Sequence, residues 1–349
     1  MSEVVEATTE LLIVGLGEIG CDLAARCNVP GATKRFVLFE PPALASFPDD
    51  QTLSLGGDGE RTDEMDPEAM RLAGQRAGQR LTSDAASLAF LFVAAGGQTA
   101  SVVAPAIASE LRAAGSTTLA IVLDPLPFEG ALRAEMAAEA HGELEVVADI
   151  VLNLPNRPVA EICDPELPVA EALEELKGKV AEAVGQLAVA LTCPSCVGLR
   201  PAELRASLAD AGRAALGVGH GDGERRVEKA IRDACANSFL TQEACQRASA
   251  ALLHLIGGTD VSLNEVHGAA ELVTQLVGRV PIQVGLTTLP DRAGVRATLL
   301  VTGIRPQEIS PRGLDQIGAG GDDELSFYDG VNLEVPAYMR RRPLSRQRA

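Results

Sequence analysis

Residues 88–130 hold the groups most able to do chemistry. The patterning predicts a strand from Leu88 to Val93, a loop Ala94-Ala95-Gly96-Gly97-Gln98-Thr99-Ala100-Ser101, and a helix from Pro105 to Ala114. A second strand, Thr118 to Leu123, leads into Pro125-Leu126-Pro127-Phe128-Glu129-Gly130. A glycine loop between a strand and a helix start makes an anion site. Its free N–H groups point outward, the helix dipole favours negative charge, and glycine lets a phosphate approach the main chain. Nucleotide binding is therefore the first function implied. Gly15-Leu16-Gly17-Glu18-Ile19-Gly20 follows another short strand and also fits a dinucleotide fingerprint, with Glu40 where a ribose-binding acid belongs. An NAD-dependent enzyme is thus an alternative, set against a plain strand-to-helix turn.

Other reactive groups read as structural. Cys193-Pro194-Ser195-Cys196 has redox or half-zinc spacing, but no second pair accompanies it, so a loop with two buried thiols is expected. His141, His220, His254 and His267 show no ligand spacing, and no metal site is expected. His254 lies in an apolar run and reads as a satisfied core residue.

The chain of 349 residues carries a net charge of -18, which opposes nucleic-acid binding. Arg340, Arg341, Arg342, Arg346 and Arg348 near the C-terminus are the basic exception. No secretory signal is expected, and no run approaches the ~20 apolar residues of a membrane span. Scattered cysteines suit a reducing cytoplasm.

These elements must be positioned by an α/β fold. Residues 1–10 read as a flexible arm. Strands are expected at Leu11 to Val14 and Arg35 to Phe39, with a helix from Cys21 to Cys27. Asp66-Pro67-Glu68 reads as a helix start. Strand and helix alternate to Leu154, implying a parallel sheet covered on both faces. Residues 169–192 form one long helix. Helices are then expected at Pro201 to Ala215, Glu224 to Asn237 and Ser262 to Leu276. Strands are expected at Ala251 to Ile256, Ile282 to Thr288 and Arg296 to Thr302. Residues 305–332 have linker composition, and 333–349 form an apolar and basic tail.

The order of these words resembles the bacterial division protein FtsZ of the tubulin superfamily. Ala104-Pro105 through Glu129-Gly130 fits that family's helix, strand and Pro-x-x-Phe-Glu-Gly turn. Leu154-Pro155-Asn156, Ile256-Gly257-Gly258-Thr259-Asp260-Val261-Ser262-Leu263 and Val335-Pro336-Ala337-Tyr338-Met339-Arg340-Arg341 match further family words. The resemblance implies a tubulin/FtsZ-like fold. A parallel-sheet nucleotide-binding domain (11–168) would be joined by the central helix (169–192) to a smaller α/β C-terminal domain (193–304). It also implies GTP held between subunits stacked head to tail, with hydrolysis completed in trans. Gly15, Gly17, Gly20, Cys21, Gly96, Gly97, Thr99, Ser101, Glu129, Arg133 and Asn156 take the family's nucleotide-binding positions.

Several positions depart from the family pattern. Gln98 and Val102 replace glycines of the signature loop. Had those glycines supplied positive φ, each change would cost about 1 kcal/mol. Glu18 and Asp22 add negative charge beside a polyphosphate. The family's base-reading aromatic and acid align with Leu173 and Lys177. Lysine cannot accept hydrogen bonds from guanine, so guanine preference is expected to be weak or absent. The trans-acting loop aligns with Gly198-Leu199-Arg200-Pro201-Ala202-Glu203, where Arg200 replaces one acid and Glu203 retains the other. The expectation is an FtsZ-like cytoskeletal protein of bacterial cell division with weakened or lost GTP binding and hydrolysis. Mg²⁺ would be needed only if hydrolysis is retained. A slow but working GTPase is the alternative. It would assemble with itself or another FtsZ in the cytoplasm at the division site. Val335, Pro336, Ala337, Tyr338, Met339 and Arg340 would recruit a division or membrane-anchor protein.

Overall fold

The computed structural model describes residues 9–39, 47–56, 66–84, 86–154, 167–193, 195, 201–236, 239–290, 292–305, 327–328 and 331–332. Glu40, Asn156, Cys196, Arg200 and the tail 333–349 lie outside the described residues. The chain divides into two units, 1–305 and 306–349. In the second unit, Phe327–Tyr328 pairs antiparallel with Val331–Asn332.

The first unit is built on one ten-stranded sheet. Its strands are β1 (Leu11–Leu16), β2 (Thr33–Leu38), β3 (Thr52–Ser54), β4 (Leu88–Ala94), β5 (Thr117–Leu123), β6 (Ile150–Leu154), β7 (Gly212–Gly221), β8 (Ala250–Gly257), β9 (Ile282–Thr288) and β10 (Val295–Thr302). The spatial order is β3-β2-β1-β4-β5-β6-β7-β10-β8-β9. The first seven strands run parallel, and β10 is antiparallel to both neighbours, β7 and β8. Both expected halves contribute strands, and β6 joins β7 through Ile150–Leu152 and Gly212–Ala214.

Parallel strands are buried on both faces, so β1 reads as an unbroken apolar run. Its alternate residues serve two cores: Leu11 and Ile13 join one, Leu12, Val14 and Leu16 the other. Helices α1 (Gly17–Arg26) and α5 (Val169–Thr192) pack on the first face. Helices α2 (Pro67–Leu81), α3 (Ala104–Ala113) and α4 (Ala131–Val147) pack on the second. Asp66 caps α2 by accepting the Ala69 N–H, with Pro67 in the first turn, as that sequence predicts.

The second half adds α6 (Pro201–Leu208), α7 (Arg226–Ala236), α8 (Gln242–Arg247) and α9 (Leu263–Val277). Ser262 and Glu265 form a capping box at the start of α9. The helix expected from Pro201 to Ala215 stops at Leu208. Asp210 and Gly212 both take positive φ, which ends the helix, and Gly212–Gly221 becomes β7. A side chain at Gly219 or Gly221 would strike the backbone of α7, so these glycines let that helix lie directly on the strand.

His254 is fully buried in β8. Its Nε2 lies 3.0 Å from Thr287 Oγ1, and its Nδ1 has no partner. Burial therefore pushes its pKa down to about 4, and the ring is neutral in the fold. Between about pH 6.5 and 4 the unfolded chain binds a proton that the fold rejects, so acid favours unfolding. Wild-type stability is expected to fall by about 3 kcal/mol across that window from this group, and to be flat above it. Urea unfolding of the wild type and His254→Leu at neutral and acidic pH checks this. Equal acid losses in the two would assign the effect elsewhere.

Candidate nucleotide cleft

Four chain segments converge at the C-terminal ends of β1, β4 and β5. They enclose a cleft of about 530 Å³. The β1–α1 turn supplies Leu16 to Ile19, and the turn after β4 supplies Ala94, Ala95, Gly97 and Thr99. The segment after β5 supplies Asp124, Phe128, Glu129 and Arg133, and α5 supplies Leu173, Leu176 and Lys177. The signature loop and the Glu129–Arg133 turn do meet: a Cβ on Gly96 would lie 3.1 Å from the Arg133 carbonyl oxygen. A Cβ on Gly17 would lie 3.9 Å from Thr99 Cγ2, joining the two glycine loops.

The glycines have distinct jobs. Gly17 and Gly96 hold positive φ (69° and 93°). Gly15 and Gly20 have no room for a side chain. Gly15 abuts Gly20 and Cys21, and Gly20 abuts the Phe92 carbonyl, so α1 is pressed against β4. Around Gly97 there is open space. The first helix begins at Gly17 rather than Cys21, so the first glycine run is a helix turn more than a loop.

The signature loop is also shorter than expected. A π-helical turn spans Thr99–Val103 and runs straight into α3. Gln98 has ordinary right-handed helical angles, and Val102 lies within the turn. Asp210 and Arg225 are the non-glycine residues with positive φ among those described. The expected backbone strain at Gln98 and Val102 is therefore absent. The family glycines at these places are replaced without a conformational cost, and the change is one of bulk. Thr99 faces the cleft at this helix start, and the N–H groups of Ala100 and Ser101 that follow it both donate to the Gly97 carbonyl oxygen.

Two other expected residues turn inward. Cys21 is fully buried, its Sγ 3.2 Å from the Gly15 carbonyl oxygen, and burial pushes its thiol up to about 12. It is no nucleophile. Ser101 Oγ lies 3.1 Å from the Met136 carbonyl oxygen, and the residue lines a separate groove. Glu203 is exposed on α6.

The cleft cations already have partners. Arg133 donates to Glu129 Oε2 at 3.0 Å, while Glu129 Oε1 accepts the Leu126 N–H at 2.8 Å. Lys177 Nζ lies 2.9 Å from Asp22 and 2.8 Å from Glu174, and Arg26 bonds the same two acids. Hydrogen bonding to Glu174 raises the Lys177 pKa. Burial works against the Asp22 carboxylate, but bonds from Arg26 and Lys177 outweigh it and hold its pKa low. This four-membered network clamps α1 to α5. Glu174 and the cleft residue Asp124 escaped the reading of the sequence as site groups, and Asp22 reads there as a charge beside phosphate rather than as a partner of Lys177. The i,i+3 and i,i+4 spacing of Glu174 to Lys177 and Asp22 to Arg26 was the available signal.

The profile described as "FtsZ family, C-terminal domain" matches residues 212–305. The "Cell division protein FtsZ 1" of Pyrococcus woesei is 29% identical over 310 residues, covering 86% of this chain and 84% of that one. The empty FtsZ dimer of M. jannaschii superposes with a TM-score of 0.74 at 24% identity, covering 85% and 89% of the two chains. The chain is an FtsZ-like protein. CetZ2 from Haloferax volcanii, solved as a GTPγS-bound protofilament, shares the fold at a TM-score of 0.70 and 20% identity, covering 88% and 97%. Among the described residues, no helix is long and apolar enough to cross a membrane.

The glycine roles predict opposite outcomes for two similar changes in this FtsZ-like chain. Gly20→Ala is expected to destabilise by about 2 kcal/mol or more, because α1 must lift from β4. Gly97→Ala is expected to stay within about 0.5 kcal/mol of wild type in thermal unfolding. Lys177→Met is expected to cost about 1 kcal/mol at low salt and less at high salt, since its partners are partly exposed. Denaturation midpoints at two ionic strengths measure that difference.

Proposed function

We propose that this FtsZ-like chain is a cytoskeletal division protein that assembles head to tail, with itself or another FtsZ, and depends little on GTP. One observation carries the reading. The charged side chains lining the cleft are three carboxylates (Glu18, Asp124, Glu129) against two cations (Arg133, Lys177), and both cations are ion-paired. A polyphosphate entering there meets net negative charge and must compete with existing partners. A nucleotide that does bind would set its phosphates at Gly97 and Thr99, its ribose near Glu129 and Arg133, and its base against Leu173 and Lys177. Lys177, clamped by Asp22 and Glu174, offers guanine no carboxylate. Across the subunit contact, Glu203 would remain beside Arg200, and slow or absent hydrolysis follows from losing one acid. The segment from Val335 to Arg340 would recruit the division or membrane-anchor partner.

The intact cleft volume favours a second reading, a slow working GTPase that needs Mg²⁺. Pelleting with GTP, GDP, ATP or no nucleotide, scored alongside phosphate release, separates the two. Assembly that is indifferent to nucleotide, with little phosphate released, is expected. GTP-dependent pelleting with turnover at an ordinary FtsZ rate would overturn the proposal.

A further inference from the structure

A second, open pocket adjoins the cleft. It measures about 350 Å³ and shares Asp124 and Pro125 with the cleft. Three alanines of α4 (Ala134, Ala137, Ala138) leave the space open, and His141 and Asn153 complete its wall. Three elements bring polar groups to it: Asp124 follows β5, His141 sits on α4 and Asn153 on β6. His141 Nε2 lies 2.7 Å from Asp124 Oδ1, and both side chains are mostly shielded from solvent. Asn153 Oδ1 is sealed from solvent and has no hydrogen-bond partner.

A buried acceptor left unpaired costs about 1–3 kcal/mol, so a retained one implies that a donor or cation belongs beside it. The same pocket is lined by an imidazole and a carboxylate, which are bonded to each other. Imidazole, carboxylate and amide oxygen together are metal donors, and the imidazole selects first-row transition metals over calcium or magnesium. The alanine-lined space leaves room for water to complete the coordination. We propose that Asp124, His141 and Asn153 hold one divalent first-row transition-metal ion such as zinc. The ion would tie the cleft floor to α4 and β6, and it does not depend on nucleotide binding.

The test uses the full chain, stripped of metal and titrated with zinc and cobalt chlorides by calorimetry and visible absorbance. One ion per chain is expected, with a cobalt absorption band. His141→Leu is expected to weaken binding by about 10-fold or more, and Asp124→Asn, which keeps the side-chain shape, also weakens it. His220→Gln, which alters the exposed pair with Asp222, should leave it unchanged. Circular dichroism confirms that each variant is folded. No stoichiometric binding by the wild type, or folded His141→Leu and Asp124→Asn variants that both bind like it, would overturn the site.

Discussion

Burial of α5 against the sheet is the constraint on which the other features depend. Its inward residues, among them Leu176, Val180, Val184, Leu187 and Leu191, share one core with Leu119 and Ile150 of the first half. The same core includes Leu216, Leu252 and Leu300 of the second half. Each large side chain so buried contributes about 1.5–3 kcal/mol, well above the ~1 kcal/mol ceiling of a partly exposed ion pair. Hydrophobic packing therefore fixes where the helix lies. The ion pairs at its N-terminal turns act on a geometry already set. Leu173, Leu176 and Lys177 form a cleft wall because the next three turns are locked in the core.

That division of labour separates the core that sets the shape of the cleft from the charges that line it. None of the residues that set the charge balance belongs to the core. Glu18, Glu129 and Arg133 lie outside the cores that hold α5, β1 and β4, and Lys177 adds only a partly exposed ion-pair contact to α5. The Asp22–Lys177–Glu174–Arg26 network bridges α1 and α5 at the edge of the cleft that Lys177 lines. It joins two cleft walls through the protein's own side chains.

Much of this was legible from local pattern. The expected strand Ile282 to Thr288 has those bounds in the structure, and Asp66-Pro67 starts its helix as read. The long helix ends at Thr192, before the Cys193-Pro194 step that marked its stop. Strand β7 was not legible, because its Ala214-Ala215 step suits a helix and its alternating glycines look like a loop. Only the approach of α7 gives those glycines their meaning. The site was legible as a set of converging loops but not as a set of partners. Nothing near Lys177 in the sequence announces Asp22, which arrives from α1 through the packing of that helix on β4 and α5. The orphaned Asn153 likewise becomes visible only when β6 is placed beside β5.

Glycine at the cleft shows why residue type alone misleads. Gly20 is required by the Phe92 carbonyl behind it, Gly17 and Gly96 by their positive φ, and Gly97 by neither. Where the family has glycine and this chain has Gln98 or Val102, the backbone is right-handed and any residue fits. Those replacements leave the fold of the loop intact. Gln98 is exposed at the helix start and does not line the cleft, and Val102 lines the separate groove that Ser101 also borders. These two replacements therefore fall beside the cleft rather than in it, on a backbone that takes any side chain without strain.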